Sequence, residues 1–267
     1  MFKFFKKEGE EKQTNLVKGL VYGLGGALII LVVVLLIIFG GKIKDRIMGG
    51  SDNDQGANAD APKLRITVLT SKNCGTECFD VNLFLDALRQ NNINEISLET
   101  LNIEDQQGKD LVAQYTITKV PTVLISGELD KNPQLAQAWP ALGEIVDGVF
   151  IFRQVIPPYL DIATGAIKGK FSLIYLSDKS CVECYDVKLH DVALQNLGLK
   201  PNSSQEVDVA SADGKALLAK YEITAVPTII MSGELSEYAS LTQIWPQVGT
   251  IAEDGAYVFT KLDEMGS

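Results

Sequence analysis

The chain has 267 residues, 46% hydrophobic and 22% charged, with 23 glycines, nine prolines and four cysteines. That length fits one or two domains, and the composition excludes collagen-like, disulfide-dense and intrinsically disordered classes. Net charge is −10 but uneven, +4 up to Arg46 (eight Lys/Arg against four Asp/Glu) and −14 beyond it (16 against 30). An acidic body repels phosphate backbones, so no nucleic-acid partner is expected. With a single histidine, His190, neither a His-based triad nor a multi-His metal site is expected.

Residues 19–41 form a run of 23 without charge, bracketed by Lys18 and Lys42. Twenty apolar residues at the helical rise of about 1.5 Å cross a bilayer core of roughly 30 Å, so the run predicts a single transmembrane helix. A cleaved signal peptide would have a shorter apolar region and a small-residue site close behind it. Here Lys42-Ile43-Lys44-Asp45-Arg46 follows, and the nearest Ala-x-Ala (Ala57, Ala59) is far downstream, so the helix is read as a retained anchor. Five lysines precede the span and three basic residues follow it, which favours a cytoplasmic tail over 1–18 and the bulk of the chain outside the cytoplasm. Gly19 and Gly23 form a Gly-x-x-x-Gly pattern of the kind that supports a homodimer through the anchor. Residues 42–62, rich in Gly, Asn, Asp and Ala over most of their length, read as a flexible tether.

The remainder is an internal repeat. Tyr115 to Asp130 and Tyr221 to Ser236 are identical at ten of sixteen positions at an offset of 106. Glu77-Cys78-Phe79-Asp80-Val81 matches Glu183-Cys184-Tyr185-Asp186-Val187, and Trp139-Pro140 matches Trp245-Pro246, at the same offset. A unit this long is a duplicated domain rather than a solenoid repeat. In the second copy the pattern predicts a strand over 171–176, a helix from about Cys181 to Leu197 stopped by Gly198, and a strand over 206–209. A helix over 213–221, a strand over 228–231 and an amphipathic stretch over 238–248 follow. Glu253-Asp254-Gly255 then turns the chain into Tyr257-Val258-Phe259, a final hairpin. The first copy has the same order, with Val146-Asp147-Gly148 as its turn, and this alternation implies an α/β sheet with helices packed on it.

All four cysteines fall in two pairs at corresponding places, Cys74-Gly-Thr-Glu-Cys78 and Cys181-Val-Glu-Cys184, each after the first strand where the first helix is predicted to begin. A helix N-terminus favours a thiolate and lowers the pKa of the first cysteine. The second, one turn on, is near enough to form a disulfide or resolve a mixed one. Later in each copy come Val120-Pro121-Thr122 and Val226-Pro227-Thr228, where a strand-opening proline removes a ladder donor.

Strand, loop, Cys-x-x-Cys and helix, then a hydrophobic residue with Pro and Thr roughly 43 residues later, resembles the thioredoxin superfamily, twice, across nearly all of residues 63–260. The tandem order is similar to two-domain protein disulfide oxidoreductases. The resemblance implies two three-layer domains (63–155 and 170–262, joined by a linker over 156–169), each with a central mixed sheet. It implies cis prolines at Pro121 and Pro227 lying against the disulfides, with the backbones of Val120 and Val226 pairing with substrate. It implies thiol–disulfide exchange by Cys181 and Cys184, and by Cys74 and Cys78, with protein thiols or disulfides and a redox partner, and with no bound cofactor. The sequence departs from the family in several places. The buried acid that many thioredoxins carry six residues before the first cysteine is replaced by Tyr175, and a hairpin stands where a terminal helix is usual. At the 106-residue offset, Cys74 aligns with Ser180 rather than Cys181. Glu77 and Glu183, immediately before the second cysteines, oppose thiolate formation and are expected to make the pairs less oxidising.

Against exchange stands a redox-inert binding module with static disulfides, although a separation of three or four residues gives a disulfide little stabilising power. Copper delivery through the Cys-x-x-x-Cys pair of the first copy is a further alternative, weakened by the absence of a histidine there. His190 lies nine residues after Cys181, out of phase with it on a helix, and is expected at the surface or partly buried. Trp139 and Trp245 are expected in the core. Asp80 and Asp186 read either as proton acceptors or, more commonly, as solvated helix-face carboxylates.

Overall fold

The computed structural model describes residues 61–262. The expected tail over 1–18, membrane helix over 19–41 and all but the end of the tether over 42–62 lie outside the described residues. In chain order the elements are β1 (Lys63–Thr70), α1 (Asn82–Arg89), β2 (Asn94–Asn102), α2 (Gln106–Gln114), β3 (Lys119–Val120), β4 (Thr122–Gly127), α3 (Pro133–Leu142), β5 (Gly143–Val146) and β6 (Val149–Phe152). Then come β7 (Tyr159–Asp161), β8 (Ile167–Lys168), β9 (Phe171–Ser177), a 3-10 turn (Val187–Leu189), α4 (His190–Asn196), β10 (Ser203–Asp208) and α5 (Ala212–Lys220). The chain closes with β11 (Thr228–Gly233), a second 3-10 turn (Leu235–Glu237), α6 (Ala239–Val248), β12 (Gly249–Ile251) and β13 (Tyr257–Phe259).

Two five-stranded sheets have the same order, β2-β1-β4-β6-β5 and β10-β9-β11-β13-β12. In the second, β10 lies parallel to β9, whereas β11, β13 and β12 are each antiparallel to a neighbour. These are mixed α/β sheets of thioredoxin-like topology. A third sheet, β3-β7-β8, is built partly from the stretch expected to be a linker.

Residues Asn82–Ile96 and Ser126–Phe150 belong to one compact unit; Ile66–Val81, Ser97–Ile125 and the described residues 151–262 belong to another. In the first, Asn132 accepts from the backbone N–H of Gln134 (2.9 Å) and Leu135 (3.2 Å), capping α3, while its Nδ2 donates to the Asn91 carbonyl (2.9 Å). Trp139 stacks at 4.4 Å on Phe150 and donates Nε1–H to the Leu129 carbonyl (2.9 Å).

The second unit holds both cysteine pairs, both Val-Pro-Thr segments and the whole second sheet. The period-2 alternation of its strands sorts side chains onto two faces. Phe171, Leu173, Tyr175, Ile229, Met231, Tyr257 and Phe259 cluster with Leu194 of α4 and Leu241 and Trp245 of α6. Leu176, Ile230 and Val258 face the other way, toward Leu217 and Leu218 of α5. Helices therefore cover both faces, giving the expected three layers in the second repeat. The final hairpin also forms as expected, and both tryptophans are core residues, 2% and 3% exposed.

Two glycines at the 106-residue offset set the approach of helix to strand end. A Cβ on Gly108 would lie 2.0 Å from the Asn102 carbonyl oxygen, and one on Gly214 2.1 Å from that of Asp208. Backbone atoms block both, so no rotamer relieves the clash. Gly214→Ala is expected to destabilise the chain by about 2–3 kcal/mol, read as a lower urea midpoint. A loss within about 0.5 kcal/mol would contradict so close a contact.

Candidate thiol–disulfide sites

Both pairs are closed disulfides. Cys74–Cys78 has an S–S distance of 2.12 Å with Cα atoms 5.1 Å apart; Cys181–Cys184 has 2.08 Å and 5.5 Å. Each opens on the same turn, with the Cys74 N–H donating to the Ser71 carbonyl and the Cys181 N–H to the Asp178 carbonyl, both at 3.1 Å. The strand bonds before them, Glu128 N–H to Lys63 O and Glu234 N–H to Lys170 O, set an offset of 107 for β1 and β9. Cys74 therefore corresponds to Cys181, not to Ser180 as the sequence alignment implies. The extra residue lies between the cysteines, where Gly75 adopts φ +50°.

The helices begin later than expected. Cys181 is not at a helix start; the 3-10 turn opens at Val187 because the Asp186 carboxylate caps it, accepting from the Lys188 N–H at 2.9 Å. Asp186 is thus a cap rather than a solvated helix-face carboxylate. Asp178 and Ser180 close a local turn, with Ser180 donating through N–H (2.8 Å) and Oγ (2.6 Å) to Asp178. These bonds hold the Asp178 carboxyl below its usual range. In the first repeat α1 opens only at Asn82, past Cys78. Neither pair lies on a helix N-terminus, so that source of thiolate stabilisation is missing from both.

Beside each pair is a Val-Pro-Thr loop, and both Val-Pro bonds are cis, as the family resemblance implies. The buried Thr122 and Thr228 hydroxyls donate to the carbonyls of Phe152 (2.5 Å) and Phe259 (2.6 Å). In the first repeat the Cys74 sulfur lies 3.8 Å from the Val120 carbonyl oxygen, so that carbonyl would accept the thiol proton once the pair is reduced. Glu77, next to Cys78, forms a 2.7 Å ion pair with Lys170. That exposed pair contributes about 1 kcal/mol at most.

The second repeat uses a different link. Tyr185, immediately after Cys184, donates its hydroxyl proton to the Pro227 carbonyl at 2.7 Å, and its oxygen lies 3.0 Å from His190 Nε2. One phenol proton cannot serve two acceptors, so both bonds require His190 to donate from Nε2. Burial pushes the Tyr185 phenol up to about 12. His190 is only 4% exposed, against Phe259, which corrects the expectation of a surface or partly buried residue. The first repeat has Phe79 and Phe84 at these positions, so the hydroxyl–imidazole link belongs to the second alone.

The pairs differ in exposure as well. Cys74 is 3% exposed and Val120 wholly buried; Cys181, Cys184 and Val226 are half-buried, and Val182 between the second pair is 96% exposed. Among the described residues no group of three or more His, Cys, Asp or Glu side chains is arranged to hold a metal ion.

No family model and no curated protein matches the chain. Among solved structures it is similar to a protein disulfide oxidoreductase from Aeropyrum pernix K1, at 14% identity over 66% of this chain and 79% of that one, with a TM-score of 0.19. It is also similar to the NTD_N/C domain of the alkylhydroperoxide reductase AhpF from Enterococcus faecalis, at 13% identity over 67% and 86%, with a TM-score of 0.18. A third likeness is to ERdj5 form II, at 11% identity over 72% of this chain and 27% of that one, with a TM-score of 0.18.

Burial lowers the His190 pKa from 6.5 to about 4, against a smaller opposing pull from Asp191. Between those values the unfolded chain binds a proton that the folded chain refuses, so stability is lost as pH falls through this window. The loss is expected to be about 2 kcal/mol, seen as a fall in the urea midpoint of the native chain relative to His190→Phe. Parallel pH profiles for the two proteins would contradict a buried neutral His190.

Proposed function

We propose that the chain is a membrane-anchored thiol–disulfide oxidoreductase. Its two thioredoxin-like domains (63–155 and 170–262) lie outside the cytoplasm, carried by a transmembrane helix over 19–41. The anchor and its orientation rest on the uncharged run of 23 residues and on the five lysines that precede it. The site chemistry rests on one observation: each repeat has a short, self-closed cysteine pair near a Val-Pro-Thr loop, with the Cys74 sulfur 3.8 Å from the Val120 carbonyl oxygen in one and Tyr185, next to Cys184, hydrogen-bonded to Pro227 in the other.

In the oxidised chain a substrate thiolate attacks the Cys181 sulfur, forming a mixed disulfide and releasing Cys184 as thiolate. A second substrate thiolate then displaces Cys181. The substrate loses two electrons and two protons to become a disulfide, and the pair becomes two thiols. In the reverse direction the Cys181 thiolate attacks a substrate disulfide and Cys184 resolves the intermediate. Val226 and Pro227 position the substrate backbone, and a partner thiol or disulfide resets the pair. Cys74, Cys78, Val120 and Pro121 form the corresponding set in the first domain. The burial of Cys74 favours a second reading for that pair, a static disulfide.

Closing a loop this short stabilises the fold by about 2 kcal/mol at most, so opening it leaves the domain folded. The double replacement Cys181→Ser, Cys184→Ser is expected to slow exchange with a two-cysteine peptide at least tenfold while the far-ultraviolet circular dichroism is unchanged. Undiminished exchange in that variant would remove Cys181 and Cys184 from the reaction.

A further inference from the structure

The segment expected to be a plain linker is seated on the first site. Tyr159–Asp161 (β7) runs antiparallel to Lys119–Val120 (β3), with Val120 opposite Leu160 and Lys119 opposite Asp161. The Ile162 N–H donates to the Thr118 carbonyl at 2.9 Å, two positions along the same register. Hydrogen-bonded pairs alternate in an antiparallel ladder, so Val120 and Leu160 are also a pair that exchanges both backbone bonds. The N–H and C=O of Val120, the residue before Pro121, are therefore both engaged by Leu160. Two residues before Leu160, the Pro158 carbonyl accepts from the N–H of Phe79, the residue after Cys78, at 2.6 Å.

Side chains secure the same segment. Tyr159 and Leu160 are each 3% exposed. The Lys119 ammonium lies 4.1 Å from the centre of the Tyr159 ring, and the Tyr159 hydroxyl donates to Glu237 at 2.5 Å. The corresponding edge of the second repeat is different. Val226 lies in a bend outside every strand, and among the described residues no strand pairs with it.

We propose that Pro158–Asp161 occupies the backbone position of a bound substrate in the first domain. Cys74–Cys78 is thereby closed to polypeptide substrates, and exchange with an extended peptide runs through Cys181–Cys184, over the open backbone of Val226. The inference rests on the exchange reading above and deepens it, because it assigns the substrate-facing role to one of two similar sites. The backbone pairing with substrate that the family resemblance implies at Val226 would then take the antiparallel register that Leu160 takes at Val120. Specificity then falls on the residues that flank the reacting cysteine and alternate between the two faces of that short ladder.

The test uses the oxidised full-length chain in two variants, one retaining only the first pair (Cys181→Ser, Cys184→Ser) and one retaining only the second (Cys74→Ser, Cys78→Ser). Each is reacted with dithiothreitol and with an extended two-cysteine peptide dithiol. The ratio of peptide rate to dithiothreitol rate is expected to be at least tenfold lower for the first pair. Adding Leu160→Pro to the first variant removes the N–H that bonds Val120, and is expected to raise its peptide rate at least fivefold. Equal ratios for the two pairs would overturn the inference while leaving exchange standing. A first pair slow with both reagents would overturn it too, placing the barrier at the burial of Cys74 itself. Where Leu160→Pro disrupts folding, the rate ratio alone decides. If the native chain exchanges with neither reagent, the exchange reading falls and this inference with it.

Discussion

The hydroxyl of a buried threonine ties the Val-Pro-Thr loop to the last core strand in both repeats, through Thr122 to Phe152 and Thr228 to Phe259. A proline opening a strand brings no N–H, so its sheet edge lacks a donor, and the hydroxyl one residue later supplies a bond that the backbone cannot. In the first repeat the loop so held has its Val120 carbonyl beside the Cys74 turn. The 3.8 Å approach of Cys74 to Val120 and the reach of Tyr185 to Pro227 both depend on that placement. A disulfide turn without the loop would be a small covalent clip. With it, the pair has a backbone segment nearby, which β7 already pairs in the first repeat.

From this shared frame the two repeats diverge. In the second, Tyr185 and His190 fasten the loop from within, and Val226 is left half-buried and unpaired by any strand. In the first, Phe79 and Phe84 replace that pair of polar side chains, and β7 covers the loop from outside. The segment before the second Val-Pro-Thr loop is thus outside every strand, and that before the first is paired with β7. Among the described residues no helix begins at either pair, and Glu77 and Glu183 precede the second cysteines in sequence, Glu77 being ion-paired with Lys170. Both features oppose thiolate formation and favour a weakly oxidising or reducing pair.

Much of the fold was legible in the sequence because it rests on strong periodic signals. The 106-residue repeat, the closing hairpin and the core positions of Trp139 and Trp245 follow from alternation, turn residues and large apolar side chains. What escaped were choices between nearly equal local signals. A helix start at Cys181 and one at Val187 both suit the local pattern, and the Asp186 cap places it at Val187. The one-residue shift of β1 against β9 is hidden because those strands share little beyond their apolar pattern. A three-residue strand next to Pro157-Pro158 gives no periodic signal, so Tyr159–Asp161 read as a linker. A helix phased from Cys181 puts His190 at the periphery, whereas α4 starts at His190 itself.

The central claim is that at least the Cys181–Cys184 disulfide is a working redox couple rather than a fixed cross-link. Its most direct test is the reduction potential of each pair in the full-length chain, found by equilibration in glutathione or dithiothreitol buffers and trapping of free thiols. The account predicts a value for Cys181–Cys184 between about −270 and −120 mV, the span of catalytic pairs, toward its reducing end. Both pairs below about −300 mV, with no thiol reactive at neutral pH, would mark them as structural and contradict it.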